Sequence, residues 1–170
     1  MIRKILLTFS LLFSALVFSQ NTVGVITNTA DTYNGYTLFT SHKKTFLINN
    51  CGQVIREWLS EFTPGNSVYL LENGNLLRTG QTSSTDITFG GQGGVVELYS
   101  WEGNLLWQYY YDTPQHRQHH DIFPMPNGNI LILAAKVMSN AEAIQAGRNP
   151  EMLLQSELYS EQIVEVQPIG

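Results

Sequence analysis

Three of the four histidines crowd into one heptapeptide, Gln115-His116-Arg117-Gln118-His119-His120-Asp121. Near neutral pH an imidazole can donate to an anion, or accept a proton and pass it on. The segment leads into an apolar stretch that reads as a strand. Successive strand side chains point to opposite faces, so one of His119 and His120 can face a ligand while the other packs. Arg117 is a candidate helper for the same anion. Two plainer readings stay open. The pair could be surface histidines of a loop, or His116, His119 and His120 could bind a metal. The metal site has no carboxylate partner other than Asp121, and the His116–His119 spacing suits neither one strand face nor a tight turn. No metal and no cofactor are expected.

Phe89-Gly90-Gly91-Gln92-Gly93-Gly94 is the second stretch with possible chemistry. A phosphate loop needs a strand before it, a helix after it and usually a lysine. Here the strand Val95-Val96-Glu97-Leu98 follows, so the segment reads as a flexible connection. Its backbone N–H groups could still help hold an anion.

The elements that position these residues repeat. Phe46–Trp58 and Glu97–Trp107 each hold a short apolar strand, a polar turn ending at glycine and a second strand closing on tryptophan. Gly52 and Gly103, 51 residues apart, supply the positive φ such turns need. Val68–Leu77 and Ile122–Leu133 are a second pair, each hinged on Asn-Gly, the strongest short hairpin signal. Their Asn73 and Asn127 are 54 residues apart. Each unit is thus two hairpins, or four strands. A third copy begins at Ile163-Val164-Glu165-Val166, echoing Val95-Val96-Glu97-Leu98.

Four-stranded units of this period are what propeller blades look like. The expected fold is all-β: a partial β-propeller with one short inserted helix. The expected blades span about 46–80 and 95–136, with a helical insertion at about 139–160 and the next blade starting at 163–170. The stretch Gly35–Thr40 is assigned to a strand that closes the ring elsewhere. A small sandwich with internal repeats is the alternative. Ser139 and Glu142 have capping-box spacing, and Gly147 suits a helix stop. Aligning Asn73 with Asn127 sets Gly65 opposite His119, Asn66 opposite His120 and Ser67 opposite Asp121. The first unit therefore builds its hairpin without histidine.

Arg3 and Lys4, the apolar run Ile5–Phe18 and the small residues Val17 and Ser19 form a signal-peptide pattern over residues 1–19. The run is too short for a membrane anchor, and residues 20–170 form the expected propeller domain. Without Arg3 and Lys4, 7 basic residues face 14 acidic ones, a charge of −7. That argues against nucleic-acid or anionic-membrane partners. Cys51 is the only cysteine, which excludes an internal disulfide and a thiolate zinc site. It reads as a small buried apolar residue. Trp58, Trp101 and Trp107 read as core or inter-blade packing.

The run His119-His120-Asp121-Ile122, leading into Pro126-Asn127-Gly128-Asn129-Ile130-Leu131, resembles the arylsulfate sulfotransferase family of exported bacterial enzymes. So do Glu142-Ala143-Ile144-Gln145-Ala146-Gly147-Arg148-Asn149-Pro150, Glu157-Leu158-Tyr159 and Ile163-Val164-Glu165-Val166. The likeness runs from about Phe46 to Gly170. It implies a six-bladed propeller with its site in the central channel. It also implies transfer of a sulfuryl group from an aryl sulfate to an acceptor phenol through a sulfohistidine, with no nucleotide donor. Splitting one transfer into two is covalent catalysis, and phenols, ionising near pH 10, are tolerable leaving groups. By resemblance, His119 and His120 contact the sulfate. Arg117 has no specific match. The expectation is a chain truncated at residue 170, with the nucleophilic histidine beyond it. The protein would be periplasmic, cell-surface or secreted. The competing class is a non-catalytic secreted propeller that binds a ligand.

Overall fold

A computed structural model describes residues 25–84, 86–153 and 157–169. The signal-peptide pattern lies outside the described residues. Strands make up 53% of the structure and helix 6%, which settles the class as all-β. Among the described residues no helix is long and apolar enough to cross a membrane.

Among the described residues ten strands form three antiparallel sheets. The first sheet is β1 (Tyr36–Ser41), β2 (Lys44–Asn49) and β3 (Val54–Leu59). The second is β4 (Pro64–Leu70), β5 (Leu76–Gln81), β6 (Gly94–Tyr99) and β7 (Leu105–Tyr110). The third is β8 (His116–Pro124), β9 (Ile130–Ser139) and β10 (Glu157–Val166), in the order β8-β9-β10. A short helix, α1 (Asn140–Gln145), joins β9 to β10 together with a 3₁₀ turn at Pro150–Met152. Ser139 and Glu142 close a reciprocal capping box on α1, and Gly147 takes φ 97° just after it.

All four expected hairpins form, and their turns share one hydrogen-bond pattern. The glycine N–H returns to the carbonyl three residues earlier in Asn49–Gly52, Leu71–Gly74, Ser100–Gly103 and Met125–Gly128. All four glycines have positive φ. Asn73 and Asn127 do not, so these loops are the longer kind that ends in a left-handed glycine, not two-residue Asn-Gly turns. Cys51 lies in the first of these loops and is exposed, contrary to the buried role expected of it.

The sheets group the hairpins differently from the repeat units. The unit at 46–80 is split: β2–β3 belongs to the first sheet and β4–β5 to the second, which continues into β6–β7. The phase is shifted by one hairpin, because sequence similarity marks the period and not where a sheet begins. Tyr36–Ser41 is likewise not remote. It pairs with β2 along its whole length, from Tyr36↔Asn49 to Ser41↔Lys44. Residues 157–166 are not a separate start either, since β10 pairs with β9 from Glu157↔Ser139 to Val166↔Ile130. With Leu76 and Ile130 as equivalents, Tyr99 corresponds to Val166, and hence Glu97 to Val164 rather than Glu165. A one-residue slip exchanges the two faces of a strand.

The middle sheet is buried on both sides. Leu76 and Tyr99 pack with Leu47 and Trp58 of the first sheet. Leu77 and Val96 pack with Ile122, Ile130 and Ile132 of the third. Each fully enclosed leucine contributes about 1.5–3 kcal/mol. Trp58 meets Trp101 edge-on at 5.6 Å and donates Nε1–H to the Ser100 carbonyl at 2.9 Å, locking the first two sheets together. A polar row crosses the second sheet in register, Arg78↔Glu97↔Gln108. The Glu97 carboxylate accepts from Ser60 (2.7 Å), Tyr99 (3.0 Å) and Gln108 (3.1 Å), with Arg78 Nη1 at 3.6 Å.

Candidate functional site

The histidine pair sits in a break in strand pairing that both copies possess. The β4–β5 register shifts between Pro64 and Val68, and the β8–β9 register shifts between Gln118 and Ile122. Residues 65–67 and 119–121 are therefore the same structural bulge. Bulges re-aim side chains beside functional sites. In the first copy Thr79 fills it: its Oγ1 accepts from the N–H groups of Asn66 (3.1 Å) and Ser67 (3.2 Å). A Cβ at Gly65 would collide with Thr79, so that copy has no room for a side chain at the His119 position. In the second copy Leu133 replaces Thr79, and the bulge carries imidazoles.

His119 is buried and His120 exposed. Both nitrogens of His119 are engaged. Nδ1 lies 2.9 Å from His120 Nδ1, and Nε2 lies 2.7 Å from Glu161 Oε2 of β10. Phe89 meets the His119 ring edge-on at 5.1 Å and contacts Tyr159 at 5.7 Å. His120 takes φ 50°, and its N–H donates to the Gly91 carbonyl at 2.8 Å. This left-handed conformation costs a non-glycine residue about 1–2 kcal/mol. Strain of this kind clusters at functional sites. The His120 ring covers Gly91, whose own φ is 76°, so that a Cβ at 91 would run into the imidazole. Asp121 Oδ1 accepts from the Tyr69 hydroxyl of β4 (3.0 Å) and the Ile122 N–H (2.9 Å). Burial, then the bond to Asp121 and its charge, raise the Tyr69 phenol above its usual range, so it stays a donor.

Arg117 does other work than anion binding. It is fully buried, and its guanidinium donates to the carbonyls of Thr82, Ser84, Ile87 and Gly93 at 2.8–3.2 Å, with Asp112 3.9 Å away. It fastens the segment between β5 and β6 onto β8. That segment, read from its glycines as a flexible connection, is hydrogen-bonded to β8. Gly93 N–H donates to the Gln118 carbonyl, Gly94 N–H to Gln118 Oε1, and Gln92 bridges His119. His116 is also apart from the pair. Its ring meets Tyr111 at 4.9 Å and its Nδ1 lies 2.9 Å from Thr113 Oγ1. Among the described residues no three His, Cys, Asp or Glu side chains converge on a metal position.

Sequence reasoning missed Glu161, which lies 42 residues after His119 and comes alongside only because β10 pairs with β9. A cleft of about 630 Å³ opens elsewhere, between the β4–β5 and β8–β9 turns, lined by Tyr69, Leu71, Asn73, Phe123, Met125 and Pro168 among others. It contains none of the histidines. No family model, curated protein or solved structure matches this chain.

Proposed function

We propose that the protein is an exported enzyme that moves a sulfuryl group from an aryl sulfate to an acceptor phenol, with the exposed His120 meeting the sulfate and the buried His119, both of whose nitrogens are already bonded, holding His120 from behind. The three sheets are read as successive blades of a propeller. Two observations support that reading: the middle sheet is buried on both faces, and the third sheet leaves Phe123 and Ile163 exposed. β4 and β8, the equivalent edges of their sheets, are joined by Tyr69–Asp121, as strands lining a common axis would be.

The observation that carries the proposal is the bulge itself. One copy closes it with Gly65 and Thr79, while the other uses the same break to hold two imidazoles. A fold that needs no histidine there has been given two, one of them in a left-handed conformation. Once it has taken a proton on Nε2, the His120 imidazole can donate to a sulfate oxygen as charge develops there. Arg117 has no part in this role. The protein, given a chromogenic aryl sulfate, an acceptor phenol and no nucleotide, should release the donor phenol and form the new aryl ester in equal amounts. Ligand binding without ester formation would support the non-catalytic propeller instead.

A further inference from the structure

We infer that Glu161, His119 and His120 form a proton relay in which Nε2 of the exposed residue His120 is the atom that meets the incoming hydroxyl. A carboxylate only accepts, so the 2.7 Å contact makes His119 Nε2 a donor to Glu161. In neutral His119 the other nitrogen, Nδ1, then carries only a lone pair. The 2.9 Å Nδ1–Nδ1 contact needs one proton, which must come from His120 Nδ1. That fixes neutral His120 with its proton on Nδ1 and a lone pair on Nε2. Among the described residues Nε2 has no hydrogen-bond partner, and it lies above Gly91, where a side chain is excluded.

The same chain carries a proton inward. When Nε2 of His120 takes a proton from a hydroxyl, an N–H bond forms there and the O–H bond breaks, leaving its electron pair on oxygen. The Nδ1 proton of His120 passes to Nδ1 of His119. Positive charge then rests on His119 beside the Glu161 carboxylate, instead of at the solvent-facing ring. The titratable groups around the pair are Glu161 from β10 and Asp121 on β8, the latter turned toward Tyr69 of β4. The covering loop contributes Phe89 and Gly91, which do not titrate. Glu161 and His119 are positioning residues, and His120 is the group that reacts. Identification of the hydroxyl as a phenol rests on the sulfuryl-transfer proposal. The relay itself does not.

Long-range proton–nitrogen NMR correlation on the full chain tests the relay. The neutral protein should show His119 protonated on Nε2, and His120 protonated on Nδ1 with a pyridine-type Nε2. Glu161 is two-thirds exposed, so Glu161→Ala should keep the fold, as unchanged near-ultraviolet circular dichroism would confirm. The variant should lose the His119 preference and the His120 Nε2 signature together. A neutral His120 protonated on Nε2, or a Glu161→Ala spectrum identical to wild type, overturns the relay. Turnover of an aryl sulfate is read separately. The expected tautomers without turnover would remove only the sulfuryl-transfer reading, and turnover with the opposite tautomers only the relay.

Discussion

Gly91→Ala should damage the site far more than its one added methyl group suggests. Gly91 has φ 76°, and a Cβ there would overlap the face of the His120 ring. A left-handed alanine costs about 1–2 kcal/mol. Moving the imidazole aside also breaks the His119–His120 hydrogen bond, worth about 1 kcal/mol. Together these come to roughly 2–3 kcal/mol, or between about 5 and 10 °C in Tm for a chain of this size. Gly90 is the matched control: it has no positive φ, and its Cβ would meet nothing within 4 Å. Gly90→Ala should be neutral, or stabilising by up to about 1 kcal/mol through the unfolded chain. Thermal and urea denaturation of the two variants, with the His120 ring followed by NMR, makes the comparison. Equal stability of Gly91→Ala and Gly90→Ala would refute the close packing of His120 on the loop.

Two further predictions concern the buried row in the second sheet. Arg78→Met leaves the Glu97 carboxylate enclosed without its cation, and losing one partner of a buried pair costs about 3–5 kcal/mol. Adding Glu97→Gln should recover most of that in a denaturant titration, and a loss under about 1 kcal/mol for the single variant would contradict the pairing. Tyr99 gives a pH signature. Burial first, then the neighbouring Glu97 charge, push its phenol up from 10.0 to about 12. A raised folded value means the contribution is intact below pH 10 and is lost as pH rises from 10 through 12. Each pH unit is worth about 1.4 kcal/mol, so roughly 3 kcal/mol should disappear. Tyr99→Phe should remove that share of the alkaline loss, and an unchanged alkaline profile would contradict the assignment.

The hairpins, their glycine turns and the capped helix were legible because each rests on local chemistry: apolar runs, a turn glycine, and Ser139 with Glu142. Matching Asn73 to Asn127 was also enough to place Gly65 against His119. Grouping hairpins into sheets was not legible, since a repeat of two hairpins reads alike in either phase and only long-range pairing of β5 with β6 decides. The stretch from Phe89 to Gly94 misled for a related reason. Glycine signals freedom until a partner is known, and here Gly91 and Gly93 make room for the side chains of His120 and Gln118. Arg117 beside two histidines suggested an anion site, yet the carbonyls that consume its donors come from residues 82–93, which no spacing reveals. Cys51 was misplaced because its third position in a tight turn outweighs its apolar character. Glu161 stayed hidden because its meaning depends on a strand register.

The most direct test is phenol release from a chromogenic aryl sulfate by the protein and its His119→Ala variant, with an acceptor phenol present and no nucleotide. Release by the wild type is expected, with a rate lower by roughly 100-fold or more in the variant, the scale of losing assisted proton transfer through His120. No release by the wild type, or an equal rate in the variant, would contradict it.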